Sequence, residues 1–306
     1  MLSTQINVIP SGSLNKAKWD NCINTSHNGL VYATSTYLDA MATHWAGMVL
    51  NDYKYVMPLP WRKKMLVQYI YPPAFVQQLG IFSAGDISAE VVSLFIKAIP
   101  AKYKYCEMHF NYANLLQGNN VIMRKNYLLN LSPGYDKLYN AYSRSAIRNI
   151  TKANNAGVTV RDGIAPAAII QMHRGRFGDN IGATADDYDR FLTLCNTLLQ
   201  KKQCITAGAY DATGKLIAGS VYFIYKNRVT FILNGNTPES LTCGATHLLK
   251  DHVIQKLAGS GYVLDFEGSD FENFARFYRQ FGAKEVEHYF TLTINRLPFL
   301  LRHLKR

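Results

Sequence analysis

The stretch from Asp265 to Ala283 constrains the fold most, because it fixes a strand end, a turn and a short helix in close succession. Tyr262-Val263-Leu264-Asp265-Phe266 is a short apolar run of the kind a buried strand requires, and Gly268 and Ser269 punctuate it. Beyond the turn, Phe271, Phe274, Phe277, Tyr278 and Phe281 recur at helical spacing until Gly282 stops the helix. Taken alone, this pattern describes an aromatic helix packed on a sheet.

The same reading along the chain gives two successions of elements. In the first half, Ile6 to Ile9 predicts a strand, Lys16 to Ile23 and Thr36 to His44 predict helices, and Gly47 to Pro58 and Trp61 to Tyr71 predict antiparallel hairpins around Asn51-Asp52 and a Pro58-Leu59-Pro60-Trp61 break. A helix over Ala89 to Ile99 and strands over Tyr103 to Phe110 and Val121 to Leu131 follow. After Ser132-Pro133-Gly134 the pattern restarts, which places a domain boundary there and gives domains 1–132 and 133–306. The second half predicts a helix over Tyr135 to Asn155, a strand over Gly157 to Arg161 and helices over Ala165 to Phe177 and Asp186 to Lys202. A meander of Ile205 to Tyr210, Leu216 to Tyr225 and Arg228 to Asn234 is joined by Asp211-Ala212-Thr213-Gly214 and Lys226-Asn227. A helix over Leu241 to Leu257, the strand Tyr262 to Phe266, the Tyr278 helix and a strand over Glu285 to Ile294 complete it.

Composition narrows the setting. At 306 residues and 48% hydrophobic the chain can bury two cores. No run is long and apolar enough to span a bilayer, and the first residues lack a signal-like core, so a cytoplasmic protein is expected. Five cysteines without metal-type spacing predict neither a disulfide framework nor a metal site. The net charge of +12 predicts attraction to a polyanion: nucleic acid, anionic lipid or a phosphorylated ligand. No serine elbow and no Gly-Lys-Ser or Gly-Lys-Thr phosphate loop is present, which removes the usual hydrolase and kinase signatures.

Asn273, Ala275, Tyr278 and Gly282 stand in the order found in the fourth helix of the GNAT superfamily of acyl-CoA-dependent N-acyltransferases, which this segment resembles. The order of elements in the second half is also that of a GNAT domain, and the first half gives a looser version. The chain therefore resembles the tandem-domain, Fem-type branch of bacterial peptidoglycan aminoacyltransferases. Trp19-Asp20, the Pro73 to Ser83 segment with Gln77-Gln78-Leu79-Gly80-Ile81-Phe82, Arg144 to Gly157 and Asp265 to Gly282 carry that likeness. The resemblance implies an α/β (α+β) fold of two GNAT-like domains, each a mixed, mostly antiparallel sheet flanked by helices. It further implies transfer of an acyl group from an acyl-CoA thioester such as acetyl-CoA to a small-molecule, glycan or peptide amine held between the domains. The alternatives are an aminoacyl-tRNA donor and a non-catalytic protein that binds an anionic glycan or nucleotide.

The resemblance gives Tyr278 the role of general acid toward the leaving thiolate, a step open to a phenol that keeps its proton until charge develops. It places the donor pyrophosphate at Asn234, Gly235, Cys243, Gly244, Ala245 and Thr246, where helix-start amides favour phosphate. Leu241, Gly244 and Thr246 keep only part of the pattern of acetyl-CoA users, and a plain helix cap from Thr237 or Ser240 is the competing reading. Cys243 before Gly244 reads either as a small structural cysteine or as a stabilised thiolate. His173 is a candidate general base or an ordinary helix-end histidine, with Arg174 and Arg176 beside it. Asp265 and Glu267 would face one side of a strand, to receive an amine proton or to satisfy backbone donors. Arg144, Arg148 and Lys152 form a cationic stripe, either solvated or phosphate-binding, and Gln77 and Gln78 are candidates for a substrate amide.

Overall fold

The computed structural model describes residues 5–178, 182–268 and 270–298; Asp179, Ser269 and the basic run Arg302 to Arg306 lie outside them. The chain divides into two compact units, the first Met1–Arg124 with His288–Arg306, the second Lys125–Glu287. The division precedes the Ser132-Pro133-Gly134 break, and the end of the last strand belongs with the first unit.

In the first unit β1 (Asn7–Pro10) is followed by α1 (Lys16–Thr25), α2 (Ser35–Met41) and a meander of β2 (His44–Leu50), β3 (Tyr55–Lys64) and β4 (Val67–Ile70). The short β5 (Phe82–Ser83), α3 (Ala89–Lys97) and β6 (Tyr103–Phe110) complete the succession. Neighbouring strands are antiparallel except β4 and β6, which run parallel. The β2–β3 turn places Asn51, Asp52 and Tyr53 at positive φ, a conformation that asparagine and aspartate tolerate better than most residues.

The expected break at Pro58-Leu59-Pro60-Trp61 does not occur; β3 runs through both prolines. The Pro60 carbonyl accepts from Tyr71 N on the side away from β2, so the missing N–H groups of Pro60 and Pro58 face that side too. There β5 pairs with residues 55 and 56 and β4 with 61 to 64, and the prolines occupy the interval between them.

In the second unit β7 (Val121–Asn130) leads to α4 (Tyr135–Asn140), α5 (Arg144–Asn155), β8 (Thr159–Asp162), α6 (Pro166–Phe177) and α7 (Ala185–Gln200). The meander β9 (Cys204–Tyr210), β10 (Leu216–Tyr225) and β11 (Arg228–Asn236) follows. Then come α8 (Pro238–Cys243), α9 (Ala245–Leu257), β12 (Val263–Asp265), α10 (Glu272–Arg279) and β13 (Lys284–Asn295). β8 to β11 pair antiparallel in sequence, β12 joins β11 in parallel, and β7 joins β12 antiparallel.

Two expected long helices are each divided. The first run ends at Asn140, and Ser143 starts a new helix by capping α5 through Oγ, which accepts from Ala146 N. Gly244, at φ +86°, separates α8 from α9. A Cβ there would lie 2.2 Å from the Asn149 carbonyl oxygen, so only glycine lets this turn approach α5. The contact closes a core in which Ala146, Ile150 and Ala153 of α5 are buried with Ala245, Leu249 and Val253 of α9.

Both units thus repeat one succession: a strand, two helices, a three-stranded meander, a helical segment, and a strand parallel to the last of the meander. This is a mixed α/β fold with mostly antiparallel sheets.

Candidate functional site

The parallel pair of the second unit is short. β11 and β12 are in register only over Arg228–Thr230 and Val263–Asp265, after which β11 continues to Asn236 while β12 ends. The edge of β11 from residue 231 onward therefore loses its parallel partner, and a fissure opens between the strands. Arg228 holds the closed end: its guanidinium reaches Asp265 at 2.6 Å and Glu287 at 2.9 Å. Burial pushes the Glu287 carboxyl up against the opposing pull of Arg228.

The fissure contains a cavity of about 430 Å³. Phe231 and Asn234 line it from β11, Phe266 and Glu267 from the segment after β12, Lys250 from α9 and Tyr278 from α10. Its walls carry aromatic rings with a few polar groups among them, the usual makeup of a small-molecule site.

Tyr278 is buried, with its ring 5.0 Å from that of Phe266 and 5.9 Å from that of Tyr127. Burial, then the negative charges of Glu267 and Asp265, push its phenol above the ordinary range, so the hydroxyl keeps its proton. No hydrogen bond to that hydroxyl is formed among the described residues.

His173, half-buried on α6, places Nδ1 2.8 Å from the Asn234 carbonyl oxygen. A carbonyl only accepts, so Nδ1 carries the hydrogen, and in the neutral ring the lone pair sits on Nε2, a buried atom. Burial lowers the pKa of this imidazole, which favours the neutral form. The bond also occupies an acceptor on the β11 edge that the departing β12 leaves unpaired. Arg176 lines the cavity from an exposed position, whereas Arg174 lies over the ring of Tyr188, 5.8 Å from its centroid.

Asp265 and Glu267 do not share a face. The strand ends at Asp265, and Glu267 takes φ +63°, which breaks the alternation that the sequence pattern assumed. Asp265 is 1% exposed, ion-paired to Arg228 and accepting from Asn126 and from Glu267 N, while Glu267 lines the cavity.

The residues expected to hold a pyrophosphate separate as well. Asn234 and Thr246 reach the cavity. Gly235 packs on α6, where a Cβ would stand 2.6 Å from the Ile169 carbonyl oxygen. Gly244 and Ala245 are buried against α5, and the Cys243 thiol donates to Ser240 O. Thr237 caps α8 by accepting from Ser240 N, as the plain helix-cap reading expects.

Arg144, Arg148 and Lys152 are exposed on α5, opposite its buried face, with no acidic partner among the described residues. Gln77 and Gln78 belong to the first unit, where Gln78 is buried and donates to the Gln77 amide oxygen.

Among the polar residues of the cavity, sequence reasoning missed four: Ser220, Asn236, His247 and Lys250. Lys250 carried a signal: with Val253, Ile254 and Leu257 at the third, fourth and seventh positions beyond it, it belongs to the buried stripe of α9.

No protein-family model and no curated protein matches the sequence. Among solved structures the fold is similar to FemX, with TM-score 0.65 and 10% identity over 92% of this chain and 97% of that one. It is similar to a tandem GNAT protein from the clavulanic acid biosynthesis pathway, with TM-score 0.59 and 9% identity over 96% and 99% of the two chains. The C-terminal domain of a putative lysylphosphatidylglycerol synthetase from Agrobacterium fabrum gives TM-score 0.57 and 10% identity, over 92% of each chain. This chain has the tandem GNAT-type fold, as its sequence resemblance implied.

Proposed function

We propose that this protein is a GNAT-type N-acyltransferase that takes an acyl group from an acyl-CoA thioester and passes it to an amine. The observation that carries the reading is the parting of β11 from β12, with His173 and Tyr278 on the walls of the resulting cavity. An unpaired strand edge accepts an extended ligand arm that bears amides, as the arm of CoA does. The thioester then lies beside the two titratable groups. The amine nitrogen attacks the carbonyl carbon, the C–N bond forms and the C–S bond breaks. His173 Nε2 takes the amine proton, with its ring held by the Asn234 carbonyl, and Tyr278 gives its proton to the departing thiolate. Asp265 has no part in this scheme, because Arg228 holds it.

A second reading, an aminoacyl-tRNA ester as donor, is favoured by the exposed Arg144, Arg148 and Lys152 stripe and the net charge of +12. No described helix is long and apolar enough to cross a membrane. The deciding experiment follows thiol release from acetyl-CoA with a panel of amines, for the wild type and Tyr278→Phe. The proposal expects amine-dependent release that falls about 100-fold in the variant, with acetyl-CoA affinity unchanged. Release unaffected by the substitution would remove Tyr278 from the chemistry. Binding without release by any amine would favour a non-catalytic binding protein.

A further inference from the structure

Lys250 occupies an unusual position for a lysine. It is 3% exposed, and no carboxylate lies within ion-pair distance of its Nζ among the described residues. The nitrogen contacts the Tyr222 hydroxyl at 2.7 Å and stands 3.1 Å from the centroid of the Phe231 ring. Lys250 lines the cavity of the β11–β12 fissure. A buried amine with no carboxylate to pair it is costly to keep unless a ligand engages it.

We propose that Lys250, with the Tyr222 hydroxyl, is the recognition site for a carboxylate carried by the ligand of this cavity. The inference shares with the acyltransferase reading the premise that the cavity takes a ligand, and it assumes nothing about the reaction. One nitrogen among aromatic rings suits a planar carboxylate better than a phosphate, which needs donors on more sides. The surrounding rings supply apolar contact for the carbon chain that bears the carboxylate.

Entry of the carboxylate is coupled to protonation. Burial holds the empty site's amine well below the ordinary lysine range, which disfavours its charged form. A carboxylate beside it favours the charged form, so binding takes up protons. The other titratable or charged groups facing the cavity are His173 and Arg176 from α6, Tyr222 from β10, His247 from α9, Glu267 after β12 and Tyr278 from α10. His173 and His247 are held low by burial and Tyr278 is held high, so none of these three changes charge near pH 7.5 without a ligand.

Calorimetric titration of the full chain at pH 7.5 with hexanoate, phenylacetate and succinate, each against its amide and against methyl phosphate, tests the proposal. HEPES and Tris, which differ in ionisation heat, report the protons exchanged. The expected result is saturable binding of at least one carboxylate, uptake of protons on binding, and binding at least about tenfold weaker in Lys250→Met. Thermal melting of the variant shows that the fold is retained. Equal binding by wild type and variant, equal binding of the amide or of methyl phosphate, or binding without proton uptake overturns the proposal. Failure of every carboxylate while acetyl-CoA binds in the same series also overturns it, and leaves the acyltransferase reading standing.

Discussion

The two units build the same parallel strand pair and treat the space beside it in opposite ways. In the second unit β11 and β12 part after Thr230 and Asp265 and leave about 430 Å³ open. In the first, β4 and β6 pair over Gln68–Ile70 and Tyr103–Cys106, and the chain after β4 folds back so that Leu79 bridges Phe110 in parallel. Leu79 N donates to His109 O and Asn111 N to Leu79 O, so the edge of β6 is paired, and the gap that remains measures about 10 Å³.

Three buried asparagines hold this plug. Asn111 Nδ2 donates to Leu79 O, Asn28 Nδ2 to Ile81 O and to Asn111 Oδ1, and Asn114 Oδ1 accepts from Ile81 N. Gly80, at φ +88°, lets the segment pass Asn114, whose Oδ1 would stand 2.3 Å from any Cβ. Even the histidines correspond: His109 Nδ1 contacts the Gln77 carbonyl in the closed gap, as His173 Nδ1 contacts Asn234 beside the open one. Backbone groups freed where strands part must find partners. One unit supplies them from its own backbone and asparagines, and the other gives the freed Asn234 carbonyl a side chain, His173, beside an open cavity.

Several substitutions would break or sharpen this contrast. The largest effect is expected of Arg228→Met, which strips the closed end of the open fissure and leaves Asp265 and Glu287 buried without their cation. Denaturant unfolding should show a loss of about 3–5 kcal/mol. Next comes His173→Gln, which should slow turnover about 100-fold. Because burial lowers the pKa of this imidazole, the acid limb of wild-type kcat/KM should lie below the ordinary histidine range, and the variant should lose that limb. In the first unit, Asn111→Ala should cost about 2 kcal/mol in stability with turnover unchanged, since it opens a plug and not a site.

Lys250→Met should have the smallest effect, a gain of order 1 kcal/mol at pH 7. The sign follows from proton counting. The native lysine has a depressed pKa, so the unfolded chain binds more protons, and wild-type stability rises with pH until the unfolded value near 10.4 is passed. Melting temperatures between pH 7 and 10 should show that slope in the wild type and a flatter line in the variant.

Much of this architecture was legible in the residues. The limits of β6 and β10 follow from clean runs bounded by turn residues, and the restart of the element order after Ser132-Pro133-Gly134 revealed the repeat. Local pattern failed where tertiary contacts decide. Pro58 and Pro60 stay in β3 because of what lies beside it, and Gly244 divides a helix because α5 approaches there. Tyr278 and His173 were found as candidates through their places on the fourth helix and at a helix end. The shared face expected of Asp265 and Glu267 failed because alternation cannot foresee the positive φ at Glu267, whereas Asp265 does accept from a backbone donor, Glu267 N, as the plainer reading expected. Lys250 was passed over because a charged side chain is ordinarily assigned to solvent. The Gln77-Gln78-Leu79-Gly80-Ile81-Phe82 motif drew notice as a site segment and forms the plug of the closed gap instead.

The most direct test of an open gap in one unit and a closed one in the other is hydrogen exchange with and without acetyl-CoA, resolved by peptide. The account predicts that the ligand slows exchange in peptides covering residues 231–236 and 266–268, and leaves those covering 76–82 and 106–111 unchanged. Ligand protection confined to the Leu79 segment, or the absence of any change along β11, would contradict it.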